Sequence, residues 1–348
     1  MRTYPARTSV RRLALPLLAA IAVGSAVPGL ARAEDAVGTD AAVTQVAVGL
    51  NPLGLAVTPD GSELWVANVD GADADVKGDG TISVVDTATN TVTATIALGG
   101  WPTEIAFTPD GTTAYVPDTG GRTRIIDVAT RTETGTIEGG DFPVAIALDA
   151  AAGRAWVANR GYEASATSVS VLDLAAGTIA GQLTVGLRPL DVALSPDGTV
   201  LAVPGADDGS VTLLDAASGE PTATVEVGGR PGSVAFSADG TQLFVTGMES
   251  GALTAIDVAT ASVAASAVLG APLNGIALLP GGTQLAIAHG TEAAGELLVV
   301  DAATLTVVTR VAVGANAQRT AVGAVPGVLY ASDFGDASVS VVVFPAAG

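Results

Sequence analysis

Short apolar runs alternate with polar turn residues along this chain, and they do so with one grammar. In the cleanest stretch Val192, Ala193 and Leu194 form an apolar run, Pro196-Asp197-Gly198 supplies a tight turn, and Leu201, Ala202 and Val203 return. A loop follows at Gly205 to Gly209. Val211 to Leu214 then ends on Asp215, a turn holds Ser218 and Gly219, and Thr222 to Val227 ends on Gly228. Runs this short, rich in Val, Thr, Ile and Ala and separated by Gly, Pro and Asp, predict β-strands joined by hairpins. Outside the N-terminus no segment carries a helical period.

The unit occurs seven times. Its copies open on Pro52, Pro102, Pro143, Pro189, Pro231 and Pro272, with Ala317 in the seventh slot, so the spacings are 50, 41, 46, 42, 41 and 45 residues. Each copy closes on a Gly, and forty-odd residues is the length of a four-stranded blade. The last copy stops after three strands, at Val339 to Phe344. Ahead of the first copy stands Val43 to Gly49, which is identical at six of seven positions to Val308 to Gly314, the closing strand of the sixth. The expected fold is therefore an all-β, seven-bladed β-propeller of four-stranded antiparallel blades whose last blade is closed by the N-terminal strand. Without that strand the sheet would end on an open edge of unpaired amides and carbonyls.

The first 33 residues read as an export signal preceding a single domain over residues 34–348. Arg2, Arg7, Arg11 and Arg12 precede an apolar stretch from Leu13 to Val23, and Ala31-Arg32-Ala33 carries small residues where a signal peptidase reads. Pro16, Gly24 and Pro28 break the stretch and argue against a permanent membrane span, and the absence of Cys excludes a lipoprotein anchor. Ser9-Val10-Arg11-Arg12-Leu13 partly matches a twin-arginine signal and departs from it at Val10, so ordinary secretion stays open beside that route. Either route gives a periplasmic or secreted protein.

Removal of that segment takes away five Arg and leaves ten basic against 35 acidic residues, a balance near −25. Such a surface repels a polyanion, so nucleic acid is not an expected partner. Much of the acidity has a structural reading. Asp60, Asp110, Asp197 and Asp239 sit in Asp-Gly turns, and Asp86, Asp127, Asp173, Asp215, Asp257 and Asp301 end third strands, places where a carboxylate accepts hydrogen bonds from amides two or three residues on.

The recurring Pro, the Pro-Asp-Gly turn, the strands ending Val66-Ala67-Asn68 and Val157-Ala158-Asn159, the run Val84 to Thr89 (Val-Val-Asp-Thr-Ala-Thr) and the closing Gly resemble the YVTN-type β-propeller repeat family over residues 41–348. WD-repeat propellers fit poorly, because no Trp here is followed by Asp and no Gly-His pair occurs. The resemblance implies an exported or surface-layer seven-bladed propeller, often without known catalysis. Its distant relatives include lactonases and quinoprotein or amine dehydrogenase subunits, and a fold alone does not choose among these.

Chemistry is then expected in the loops. If the Pro loops and the loops between second and third strands share one rim, six of the ten basic residues gather there: Lys77, Arg122, Arg160, Arg188, Arg230 and Arg319. The residue before each Pro slot runs Asn51, Trp101, Phe142, Arg188, Arg230, Ala271, Asn316, and Arg122, Arg160 and Tyr162 lie in adjacent loops. Guanidinium forks suit carboxylates or phosphates and aromatic faces suit sugar rings, so a small anionic or sugar-like ligand, or a protein, is the expected partner. The plainer alternative is that these arginines only balance nearby Asp. A second ring, two residues after each slot, reads Gly54, Glu104, Ala145, Asp191, Ser233, Asn274 and Arg319. Glu104 and Asp191 are a candidate acid–base pair, or else part of a solvated channel lining.

Asp70, Asp73, Asp75 and Asp79 crowd one loop with hard oxygen ligands suited to calcium, although Lys77 intrudes and no bidentate Glu follows. No other cofactor is indicated. The only histidine, His289, ends a strand where other copies place Asn68, Asp118, Asn159 and Asp333; it is a candidate base or simply the polar residue usual at that slot. No Cys, no G-x-S-x-G elbow and no G-x-x-x-x-G-K loop occurs. These observations favour a non-catalytic scaffold that binds a ligand or protein through its loop-rich rim. A lactonase-like or lyase-like enzyme at the channel mouth and a structural subunit of a periplasmic redox complex are the alternatives.

Overall fold

Seven separate apolar clusters, one between each pair of neighbouring blades, hold the protein together. The first joins Trp65, Ile82 and Val84 of one blade to Ile105, Val116 and Ile126 of the next. The last joins Tyr330, Val339 and Val341 to Leu55, Leu64 and Val66, so the seventh blade packs on the first and the ring is closed. This computed structural model describes residues 41–70, 78–162 and 167–345. Residues 1–33, read above as an export signal, lie outside them, as do Asp73, Asp75 and Lys77.

The chain opens with β1 (Ala42–Ala47) and then lays down blade 1 as β2 (Pro52–Val57), β3 (Glu63–Asn68), β4 (Thr81–Asp86) and β5 (Thr91–Ala97). Blade 2 is β6 (Ala106–Phe107), β7 (Thr113–Asp118), β8 (Arg122–Asp127) and β9 (Thr132–Glu138). Blade 3 is β10 (Pro143–Asp149), β11 (Arg154–Asn159), β12 (Ser168–Asp173) and β13 (Thr178–Thr184). Blade 4 is β14 (Ala193–Leu194), β15 (Val200–Gly205), β16 (Ser210–Asp215) and β17 (Pro221–Glu226). Blade 5 is β18 (Pro231–Phe236), β19 (Gln242–Gly247), β20 (Ala252–Asp257) and β21 (Ser262–Val268). Blade 6 is β22 (Leu273–Leu278), β23 (Gln284–Thr291), β24 (Ala294–Asp301) and β25 (Thr306–Val313). Blade 7 is β26 (Ala317–Val322), β27 (Val328–Asp333) and β28 (Ser338–Val343), completed by β1, which pairs antiparallel with β28 from Ala42↔Val343 to Ala47↔Ser338. Among the described residues no helix is long and apolar enough to cross a membrane.

Burial follows the layers of each blade. Second strands are covered on both faces by neighbouring blades and read as nearly unbroken apolar runs, as in Leu64-Trp65-Val66-Ala67, all at 0% exposure. Outer strands such as β5 and β21 expose most of their residues and are built from Thr, Ser and Ala. The Asp residues of the turns serve the turns. Asp60 accepts from the Thr58 hydroxyl at 2.6 Å and the Ser62 amide at 3.0 Å, and the Thr58 bond leads those that hold its carboxyl below the ordinary range. Asp110, Asp197 and Asp239 repeat the arrangement, Asp239 reaching about 2. At the ends of third strands Asp86 takes the amides of Ala88 and Thr89, and Asp301 takes that of Thr304.

The closing Gly has a steric cause in several units. A Cβ on Gly49 would lie 2.6 Å from the Asn68 amide carbon, and one on Gly140 would lie 2.6 Å from Asn159 Oδ1. In these blades the polar side chain that ends the second strand needs a bare backbone over it, whereas β15 and β19 end on Gly205 and Gly247 and a Cβ on Gly228 would meet nothing. Asn68 uses that place to donate to the Thr81 and Ser83 hydroxyls, and Asn159 donates likewise to Ser168 and Ser170.

Candidate functional site

Each inner strand carries one extra residue directly after the Pro slot. In blade 1, Pro52 pairs with Asn68 and Leu55 with Val66, so two residues of β2 face one of β3. The same shift occurs at Pro143/Ala145, Pro231/Val234, Leu273/Ile276 and Ala317/Thr320. In blades 2 and 4 it falls between the isolated bridges Pro102↔Asp118 and Pro189↔Gly205 and the short β6 and β14. A bulge re-aims side chains, and here it turns the residues one and two after each slot into the channel. Blade 6 differs from the expectation by one residue. Leu273 pairs with His289 where Pro52 pairs with Asn68, so Leu273 occupies the slot, Pro272, joined to Ala271 by a cis bond, precedes it, and the second-ring position is Gly275, not Asn274. Asn274 belongs to the first residue after the slot, nearer the mouth.

The corrected second ring lines a channel cavity of about 200 Å³ with Glu104, Asp191, Ser233, Gly275 and Arg319. Gly275 lets the Arg319 backbone approach, since a Cβ there would lie 2.8 Å from Arg319 Cα. Arg319 Nε stands 3.6 Å from Glu104 Oε2, and its Nη1 donates to Ser233 Oγ at 3.2 Å. The Ser233 hydroxyl donates in turn to Asp191 Oδ2, which also accepts the Val234 amide at 3.1 Å. Desolvation pushes Glu104 up to about 7, with Asp191 adding to the rise and Arg319 opposing it. The pair expected as acid and base thus shares one channel, with Arg319 against Glu104 and Ser233 against Asp191.

Above this lies a mouth cavity of about 220 Å³, lined by Arg160, Arg230, Arg319 and Asn274 together with Leu53, Val144, Leu190, Gln318 and Met248. Arg160 stacks over the Phe142 ring, 5.4 Å to its centroid, and Phe142 meets Tyr162 edge to face at 5.1 Å. Tyr162, 69% exposed, bonds the Thr119 carbonyl of the neighbouring blade at 3.2 Å. Desolvation, followed by the charges of Arg188 and Arg230, holds the Arg160 guanidinium below its usual range. The Nε atoms of Arg160, Arg230 and Arg319 are all buried without a hydrogen-bond acceptor. Phe142, Arg188 and Arg230 take positive φ of 61°, 53° and 55°, a conformation that side chains other than Asn or Gly adopt at a cost.

The remaining candidates stand elsewhere. Arg188 is 3.4 Å from Asp207. Arg122 pairs with Asp118 at 3.1 Å beside the buried Arg124, so it belongs to blade 2's own ion network. Trp101 is 37% exposed next to Gly78 and lines neither cavity. His289 also lines neither. It sits 3.3 Å from Glu296, which Arg310 holds at 2.9 Å, and burial pushes its pKa down. Asp70 accepts from Asn51 Nδ2 at 2.8 Å, and Asp79 bridges to Gly100. Among the described residues no three His, Cys, Asp or Glu side chains converge as metal ligands, and two of the four expected calcium ligands are outside them. Two other grooves lie on different surfaces. One, of about 260 Å³, contains the Arg131–Glu63 ion pair, and the other, of about 320 Å³ around Leu279, Val308 and Phe344, has no charged group. The apolar partners at the mouth, Leu190 and Met248 among them, were not legible as site residues. Met248 reaches the cavity only because a Cβ on Gly232 would collide with it.

Neither a protein-family model nor a curated protein sequence matches the chain. Among solved structures, Kuenenia stuttgartiensis hydrazine synthase matches with a TM-score of 0.75 at 21% identity, covering 91% of this chain and 100% of that one. At that identity the likeness carries the propeller fold and no activity.

Proposed function

We propose that this protein is an exported propeller of the YVTN type that binds an anionic ligand at its loop-rich rim without turning it over. One observation carries the reading: Arg160 is half-buried at the channel mouth and makes no ion pair among the described residues, although the chain has 35 acidic side chains. A half-buried guanidinium whose Nε has no acceptor is costly, and a bound anion supplies what is missing. Balancing of a nearby Asp explains it only in part, because Asp207, which attracts Arg160, is in direct contact with Arg188 instead. The catalytic alternative has less support, since His289 lies outside both cavities, 3.3 Å from Glu296.

Calorimetric titration with acetate, phosphate and glucuronate is expected to give saturable binding of at least one of them to the wild-type protein. Arg160→Gln with Arg230→Gln should weaken it at least about tenfold, since a hydrogen bond to a charged group contributes about 1.5–3 kcal/mol. Equal affinity in both proteins, or no heat with any anion, would remove the reading.

A further inference from the structure

Two features of the mouth narrow the ligand further: the charge left over and the surface beside it. Four guanidiniums stand at or beside the opening. Arg188 faces Asp207 at 3.4 Å, Arg230 faces Glu249 at 3.6 Å and Arg319 faces Glu104 at 3.6 Å, so among the described residues Arg160 is the one of the four without a direct ion pair, with Asp207 attracting it from farther off. Asp191, deeper in the channel, is taken by the Ser233 hydroxyl and the amides of Val192 and Val234. With the carboxyl groups of Glu104 and Asp191 already in the channel below, a monoanion suits the mouth better than a phosphate dianion, which would hold a second negative charge in a partly dry site. The Nε atoms of Arg160 and Arg230 have no hydrogen-bond acceptor, Arg319 Nε has only Glu104 at 3.6 Å, and a guanidinium edge pairs side-on with a planar carboxylate.

Beside the arginines, and apart from Asn274 and Gln318, the cavity wall is apolar. Leu53, Val144 and Leu190, from blades 1, 3 and 4, share it with the thioether of Met248. These side chains have no role in orienting an inorganic ion, and contact with an alkyl chain would remove their surface from water. Met248 adapts to an irregular chain because it is unbranched and polarisable.

Resting on the anion-binding reading, we infer that the mouth cavity takes a small monocarboxylate with an aliphatic tail, its head against the Arg160 and Arg230 guanidiniums and its tail over Leu53, Val144, Leu190 and Met248. The proposed probe set is octanoate, butyrate, acetate, inorganic phosphate and 1-octanol, titrated calorimetrically into the wild-type protein and Arg160→Gln, with circular dichroism showing that the variant is folded. Octanoate is expected to bind most tightly. Each buried methylene adds about fourfold in affinity, so butyrate should be at least about tenfold weaker even if only half of the extra chain is covered. 1-Octanol and the Arg160→Gln–octanoate pair should each lose at least about tenfold. Acetate or phosphate binding as tightly as octanoate would overturn the tailed ligand while leaving an anion-binding rim. Octanol binding as tightly as octanoate and indifferent to Arg160→Gln, or no binding by any probe, would overturn both.

Discussion

A chain lacking residues 41–49 is expected to aggregate, or to fail to give a cooperative melt, where the chain from residue 41 onward folds as a monomer. The deleted segment contributes β1, whose six residue pairs with β28 complete the seventh sheet. It also contributes Val46, 6% exposed, to the cluster that binds blade 7 to blade 1, and the Val48 amide donates to the Ala337 carbonyl at 2.9 Å. A net contribution of about 1 kcal/mol for each lost backbone hydrogen bond, added to the buried Val, approaches the 5–15 kcal/mol by which whole domains are stable. What remains is a bare edge of Ser338-Val339-Ser340-Val341-Val342-Val343, a β-branched strand without charge or Pro and a ready template for another chain. Size-exclusion chromatography with thermal melting followed by circular dichroism reads the outcome. A monomer with the melting temperature of the longer chain would show that β1 is dispensable and that the ring closes by other means.

Asp333→Asn is expected to stabilise the protein at pH 8 by about 2–3 kcal/mol and to change nothing below about pH 4. Asp333 ends β27 with 0% exposure, and burial pushes its carboxyl from an ordinary 3.8 up to about 6 despite bonds from Ser338 and Ser340. Between those values the folded chain holds a proton that the unfolded chain releases, so stability falls as pH rises through the window, and the cost is complete above it. Asn removes the ionisation and has a precedent within the molecule. Asn68 and Asn159 occupy the equivalent place in blades 1 and 3 and donate to hydroxyls at the positions of Ser338 and Ser340. Urea unfolding at several pH values checks this. A variant no more stable than wild type at pH 8 would mean that the Asp333 carboxylate is better solvated than its burial implies. Glu104, raised to about 7, adds a slope of the same sign that both proteins share.

The ring was legible because its grammar is local. An Asp-Gly turn and a strand ending in Asp do their work within a few residues, the Pro and the closing Gly recur at a fixed place in the unit, and the near-identity of Val43 to Gly49 with Val308 to Gly314 marks a displaced fourth strand. Where a pattern residue moved, the reading slipped: Pro272 drew the slot one position early, and only the pairing of Leu273 with His289 corrects it. The arc of arginines read from the sequence separates in the structure for a different reason. Arg122 and Arg160 look alike in sequence, but one meets Asp118 and the other meets the face of Phe142. Such distinctions depend on side chains from other strands and loops. The apolar half of the mouth was hidden more completely, because Leu53, Val144 and Leu190 differ from core residues only through the inner-strand bulge that turns them into the channel.

Cross-linking across the mouth tests the central claim, that the closed ring gathers residues of distant blades around one opening. The chain has no cysteine, so Val144→Cys with Gln318→Cys, from blades 3 and 7, introduces the only two thiols and leaves the mouth arginines intact. A short bis-maleimide is expected to join them within one folded chain, seen as a peptide pair by mass spectrometry and abolished in urea. Two reactive thiols that label singly but never join in the folded protein would contradict the ring and the site it assembles.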